Sequence, residues 1–414
     1  MRIAIIGAGV SGLSCAYLLQ EDHEIAVFEA ADRLGGHSHT VEVDEGDQKV
    51  PVDTGFIVFN HQNYPNFTRL LERLNVRSQP SSMGFSVRDE RTGLEYAARS
   101  LDTLFAQRRN LFRPRFHRML RDILRFYREA TGRLRSGMGD GTLGDFLDRE
   151  GYSAAFVDLH LVPMGAALWS AGAAKVREIP TRFFVEFFEN HGMLVRGQRP
   201  EWRTVEGGSK NYVDALTRGF RDRVRLAAPV RWIRRDEHGV TVQTDGGGPE
   251  RFDEVILACH SDQSLRMLAD ATPLEREILG AIPYQPNQTV LHTDSSVLPR
   301  RRRIWSSWNV AVEDESEDRV AVTYYMNQLQ NLATQNDYCV TLNRADEIDP
   351  DRRIAEMIYD HPVFTLEGVE KRSKRDQIDG VNHTHYCGAY WGSGFHEDGV
   401  NSALHVCARF GKSL

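Results

Sequence analysis

The chain has 414 residues, of which 41% are apolar and 26% charged, with a formal net charge of −7. That length holds about two to three domain-sized units, and the composition is that of an ordinary globular protein, with nothing to suggest a nucleic-acid partner. The five cysteines (Cys15, Cys259, Cys339, Cys387 and Cys407) are scattered without CxxC spacing, which suits free thiols better than a disulfide framework or a zinc site; no metal is expected.

In chain order, "RIAII", a helix and "EIAVFEA" form a β-α-β start, followed by a hairpin of "HTVEV" and "KVPVDTGF". Met1-Arg2 runs straight into this apolar strand without a cleavage region, so a cytoplasmic location is expected. From Asn63 to about Gly192 the pattern is mostly helical, interrupted by the short strands "GFSVRD" and "GLEYAA" around the turn Glu90-Arg91-Thr92. Its longest apolar stretch, "LVPMGAALWSAGAA", contains Pro163, Gly165 and Gly172 and is too short to span a bilayer. After "WRTVEGGSKNYVDAL" come the strands "RVRLAAPVRWIRR", "GVTVQT" and "RFDEVILAC", the last two joined by the turn "DGGGP". Residues 262–375 mix helices and strands, "NQTVLHTD" and "VAVTYYM" among the latter.

Charge is unevenly placed. Residues 101–137 carry ten arginines against three acids, interleaved with Phe, Leu and Tyr, and a second basic run, Arg300 to Arg303, precedes Trp305 and Trp308. Such segments suit an anionic lipid surface or a solvated helix face with acidic neighbours.

Gly7, Gly9 and Gly12, with Val10 and Ser11 between them, spell GxGxxG after a strand and before a helix. The first glycine makes the turn, the second admits a pyrophosphate, and the third lets helix and strand close up. Glu29 ends the second strand, where a carboxylate accepts a ribose hydroxyl. Together these signals define a dinucleotide site.

"EAADRLGGHSHT", with Glu29, Ala30, Arg33, Gly35 and Gly36, resembles the second fingerprint of the flavin-containing amine oxidase and phytoene desaturase superfamily, with His37 where that family usually has Arg. The resemblance implies FAD. It further implies that Thr54, Gly55 and Phe56 of "DTGF" run beside the isoalloxazine, and that Val230 holds adenine through its backbone. By the same resemblance "CGAYWGSGFHEDGVNSAL" delivers amides to the flavin through Gly388, Asp398, Gly399 and Val400. The fold implied is α/β (α+β overall). Its Rossmann-like FAD-binding domain is discontinuous, built from 1–62, 201–262 and 376–414. A mixed α/β substrate domain comes from 63–200 and 263–375, with a helical, basic, membrane-facing part at about 101–195.

The stretches "LVPMGAALWS", "RFFVEFFENHGML", "ILACHSDQSLRML", "TYYMNQLQNL" and "GFHEDG" are similar to a narrower group, bacterial amine-oxidase-like proteins associated with cyclopropane-synthase-type methyltransferases. Plant cyclopropane synthases carry a similar N-terminal part. What this resemblance implies is desaturation of a methyl-branched phospholipid acyl chain in furan fatty acid synthesis, by hydride transfer to flavin N5. The protein would lie peripherally at the inner membrane face, with a fatty-acyl methyltransferase as partner. The family's strand lysine is missing from "YQPNQTVLHT", and no lysine stands between Lys210 and Lys371, which speaks against amine oxidation. "RFFVEFFENHGML", Trp169, Tyr324 and Tyr325 can line an acyl tunnel or simply form core. His396 is the leading proton acceptor, with Glu397 second and Tyr325 shaping the pocket, whereas Asp398 is expected as helix N-cap. An amine or small-molecule oxidase and a non-catalytic flavoprotein partner of a lipid methyltransferase are the alternatives. Oligomeric state stays open.

Overall fold

The computed structural model describes residues 1–138, 140–194, 200–312 and 321–414; the expected helical boundary at 195 and the first residue of "VAVTYYM" fall outside them. Its centre is a five-stranded parallel sheet with strands in the order 224–225, 24–28, 2–6, 254–257, 384–386. All five come from the stretches 1–62, 201–262 and 376–414. Side chains alternate across a strand, and both faces here are apolar, as a covered parallel sheet requires. Ile3, Ile5, Ile25, Val27 and Ile256 pack on the helices Val10–Leu19, Lys210–Thr217 and His396–Ala408. Ala4, Ile6, Ala26, Phe28, Val255 and Leu257 pack instead on a three-stranded antiparallel sheet, 230–236, 239–244 and 249–252.

Two strands expected to be continuous are broken. "RFDEVILAC" divides at Asp253, whose carboxylate accepts the Arg2 amide at 2.6 Å while its own amide donates to the Arg2 carbonyl. The first half joins the antiparallel sheet and the second the parallel one. "RVRLAAPVRWIRR" divides likewise, Val224–Arg225 and Val230–Asp236, around Ala227 at φ 49°.

A seven-stranded mixed sheet lies beyond, in the order 353–362, 284–292, 339–342, 321–325, 308–312, 85–89, 94–97. It draws strands from both inserted stretches, closed by the parallel pairing of 308–312 with 85–89. Helices from 101 to 190 form the third body. Phe116, Met119, Ile123 and Phe126 of the helix Pro114–Arg133 recur at helical spacing and bury into its core. Among the described residues, no helix is long and apolar enough to cross a membrane.

Candidate functional site: a dinucleotide cradle closed by both chain ends

The strand order turns at the first strand, which sits between 24–28 and 254–257. Ligands of open α/β sheets bind beyond the carboxyl ends of the strands at such a switch point, and the glycine loop 7–9 occupies it. Gly7 has φ +106°, and a Cβ there would lie 2.7 Å from the Ala258 carbonyl oxygen; a Cβ on Gly12 would lie 2.0 Å from that of Gly7. Both glycines are therefore required by the protein's own packing. Gly9 differs. Its φ of −79° and ψ of −178° suit any residue, and a Cβ would meet nothing within 4 Å. Its glycine leaves room for something the polypeptide does not supply, as a cofactor pyrophosphate beside the start of the helix Val10–Leu19 demands.

The second glycine pair folds onto the first. The Gly35 amide donates to the Ala8 carbonyl at 2.8 Å, and Gly36, at φ +58°, sits so that a Cβ would come 3.1 Å from Gly9 Cα. Glu29 joins the two loops by accepting the amides of Ala8 at 2.7 Å and Ala31 at 2.9 Å. A carboxylate has about four lone-pair directions, so it retains capacity for a ribose hydroxyl beside the exposed Ala30. Arg33 donates to the Gly36 carbonyl at 2.8 Å, so its guanidinium braces the loop. Ala227 and Ala228 donate to the carbonyls of Ala31 and Glu29, each at 2.8 Å, which ties the segment leading to Val230 to the Glu29 end of the cradle.

The far end of the chain closes the site. Ser11 Oγ donates to the Gly399 carbonyl at 3.0 Å, and a Cβ on Gly399 would lie 2.7 Å from Val10 Cγ1, so the first and last helices meet at their N-terminal turns, with Val400 buried beside them. The Gly388 amide donates to Ser402 Oγ at 2.9 Å. The positive ends of two helices thus face one region, which favours bound anionic charge. Near it, Tyr390 Oη, Trp391 Nε1 and Gln285 Nε2 are buried without a hydrogen-bond partner among the described residues. Native proteins rarely leave such atoms orphaned, and a polar cofactor supplies the missing partners. The residues present fit FAD.

The segment Thr54–Phe56 is pinned to the second loop by Thr54 N to His39 O at 2.9 Å and Phe56 N to His37 O at 2.7 Å; a Cβ on Gly55 would lie 2.1 Å from that His37 oxygen. The His37 ring itself packs among Tyr359 (5.0 Å), His361 (5.3 Å) and His260 (6.2 Å). Burial and these imidazoles hold its pKa well below the usual histidine range, so it brings no positive charge to a phosphate. It stands in the wall between the loop and the strand Arg353–Pro362, where a cofactor would meet it as a neutral imidazole.

The three residues expected to be catalytic each have partners within the protein. His396 is buried, stacked on Phe56 at 3.5 Å, with Nε2 2.9 Å from Ser38 Oγ and 3.0 Å from Tyr212 Oη. Burial pushes its pKa down to about 3, too weak a base to hold a substrate proton near neutral pH. It positions the terminal helix. Both oxygens of Glu397 accept backbone amides, Asn66 at 3.0 Å and Phe67 at 2.8 Å, capping the helix Pro65–Arg73. Tyr325 donates to Asp337 at 2.6 Å and packs edge-on against Trp305. Asp398 is not the N-cap: it stands in the helix's first turn, after Phe395, and accepts the amides of Ser393 at 2.9 Å and Phe395 at 3.0 Å.

Several site residues escaped the sequence reading. On the strand Tyr284–His292, Gln285, Asn287 and Thr289 are buried polar residues at alternate positions, the one hint being the polar run "QPNQT". Asn287 lies 3.0 Å from His361 Nδ1. Lys175, from the helix Ala173–Glu178, donates to Gln285 Oε1 at 3.0 Å. A lysine thus does reach this strand, from another element. Trp169 donates to the Ser393 carbonyl at 3.2 Å, and Phe187 stacks on Phe395 at 4.9 Å, so the aromatic core of the helical body abuts the terminal glycine loop.

A bent, two-loop cradle on a parallel sheet, closed by a helix from the chain's end and faced by a mixed sheet, defines an FAD-dependent oxidoreductase. The chain belongs to the family described as flavin containing amine oxidoreductase, whose model matches residues 10–293. It is 40% identical over 80 residues to the 15-cis-phytoene desaturase of Synechococcus elongatus, covering 19% of this chain and only 16% of that relative. Its fold is that of putrescine oxidase (TM-score 0.69, 17% identity, 99% of each chain). It is equally that of the CLA-producing fatty acid isomerase of P. acnes (TM-score 0.69, 16% identity, 99% of this chain and 98% of the other).

Proposed function

We propose that the protein oxidises a fatty acyl chain of a membrane phospholipid, one already methyl-branched, as a desaturase of modified (furan) fatty acid synthesis alongside a fatty-acyl methyltransferase. Bound FAD supplies the two-electron acceptor. The residues here hold it, exclude water and orient the C–H bond against it. The observation that carries this reading is the apolar wall of Trp169, Phe183, Phe184 and Phe187, fastened to the terminal loop through Ser393 and Phe395. An aromatic cluster buried against the terminal glycine loop suits an acyl chain better than a cationic amine, and one protein of this fold acts on a fatty acid. Anaerobic bleaching of the bound flavin by phospholipids with and without a methyl branch tests the proposal; no bleaching by any lipid would end it.

A second reading, oxidation of an amine, draws on Lys175 at Gln285. It predicts hydrogen peroxide release on amines and none on lipids. A non-catalytic partner of a methyltransferase would bind FAD yet bleach with neither.

A further inference from the structure

Two basic stretches singled out in the sequence, about 200 residues apart, meet on the surface. Arg99 Nη2 donates to the Arg303 carbonyl at 3.3 Å, and Arg303 Nη2 to the Ala106 carbonyl at 2.8 Å. Between them opens a cavity of about 400 Å³ lined by Arg88, Arg108, Arg109, Arg300 and Arg301. Two carboxylates also line it, and both are already engaged. Glu95, fully buried, accepts the Arg300 amide at 2.8 Å and Arg301 Nη1 at 3.2 Å. Glu90 is paired with Arg88 and with Arg344, each at 2.9 Å. Arg88 and Arg301 are thereby committed, and Arg108 pairs with Asp102 at 2.5 Å, so five guanidinium groups against three carboxylates leave two positive charges in excess on a concave surface that attracts an anion.

The rim is apolar. Arg108 and Arg109 belong to the single-turn helix Arg108–Phe112, and its last two residues, Leu111 and Phe112, are exposed, Phe112 at 86%. Leu101, which opens the neighbouring turn Leu101–Leu104, is 76% exposed. Large exposed apolar side chains beside a cluster of arginines are what an interfacial membrane contact requires: rings and alkyl groups enter the acyl boundary while the cations meet the headgroups. The long helix Pro114–Arg133 does not share this character. Most of its apolar side chains face the core, Leu124 being the exposed exception, and Arg125 pairs with Glu129 and Glu150.

We infer that this cavity seats the phosphate of an anionic phospholipid headgroup, with Leu101, Leu111 and Phe112 inserted in the membrane around it. The inference rests on the lipid-substrate reading and adds to it the place of docking and the charge of the lipid. The site is separate from the flavin cradle, so the two can fail independently.

Flotation of the flavin-loaded protein with vesicles tests it. Phosphatidylcholine vesicles containing phosphatidylglycerol are expected to retain the protein, and phosphatidylcholine alone to release it. At about fivefold per arginine near an anionic surface, the pair Arg108→Ala and Arg300→Ala lowers partitioning by roughly 30-fold, with FAD content and melting temperature unchanged. Phe112→Ser, at a side chain too exposed to affect folding, weakens retention without changing its salt dependence. Wild-type partitioning by the double variant overturns the inference, as does equal retention on phosphatidylcholine alone. Inorganic phosphate that displaces the protein better than sodium chloride of matched ionic strength would make this a free-phosphate site and overturn the membrane docking. With detergent-dispersed lipid the double variant should still bleach; a wild type that floats but never bleaches defeats the substrate reading alone.

Discussion

Replacing Gly9 by alanine separates what the fold needs from what the cofactor needs. In the protein itself the new methyl meets no atom within 4 Å, and the backbone is already extended at φ −79°. Alanine at a compatible position narrows the unfolded ensemble, so the apoprotein should be unchanged or more stable by about 0.4–1 kcal/mol. Toward FAD the same methyl occupies the space through which a pyrophosphate reaches the amides of the loop. Losing one or two charge-assisted hydrogen bonds, at about 1.5–3 kcal/mol each, weakens FAD binding by roughly 10-fold to more than 1000-fold. Gly12→Ala is the internal contrast: its Cβ would stand 2.0 Å from the Gly7 carbonyl oxygen, and overpacking of this kind costs about 1–3 kcal/mol or more. The assay pairs thermal melting of both apoproteins with fluorescence titration of FAD. An apoprotein of Gly9→Ala that melts as the wild type and binds FAD as tightly would refute the cradle.

Acid should destabilise the fold. Burial holds His160 and His396 at about 3 and His292 at about 4, whereas the unfolded chain titrates near 6.5. Their stability contribution is complete above pH 6.5 and is lost as the pH falls toward 4. Asp53, pushed up to about 6 by burial, opposes them with one proton. His39 and His361, also held at about 4 by burial, add to the same fall. Each such histidine contributes about one proton near pH 5, or about 1.4 kcal/mol per pH unit, and His160→Gln should lower the slope by that amount in denaturant titrations. Glu397→Ala leaves the buried amides of Asn66 and Phe67 unsatisfied, a cost of about 2–4 kcal/mol visible as a lower melting temperature; an unchanged midpoint would deny the capping role. Lys175→Met should leave lipid-driven flavin reduction within a few-fold of wild type, while a loss beyond about 100-fold, the scale of a lost acid–base group, would place Lys175 in the lipid chemistry itself.

The parts of the site legible in the sequence are those set by local backbone geometry. Gly7 and Gly12 are glycine because of contacts with the adjacent strand end at Ala258 and with Gly7 itself, so their spacing gave them away, whereas Gly35 and Gly36 were read from the resemblance to the second fingerprint. The mixed sheet was less legible, because its parallel closure joins 308–312 to 85–89 across more than 200 residues. Side-chain roles were hardest to read. His396 and Glu397 looked like chemistry beside a helix start and Asp398 like its N-cap, yet each has a partner that spacing does not reveal: Phe56, Phe67 and Ser393. Lys175 was invisible for the same reason, since nothing local marks a surface helix as the neighbour of Gln285.

The most direct test of the account is an anaerobic titration of the purified, FAD-loaded protein with a detergent-dispersed, methyl-branched phospholipid, following the flavin's visible absorbance. The account predicts stoichiometric bleaching by this lipid and none by primary amines. Bleaching by amines, with the lipid inert, would contradict it.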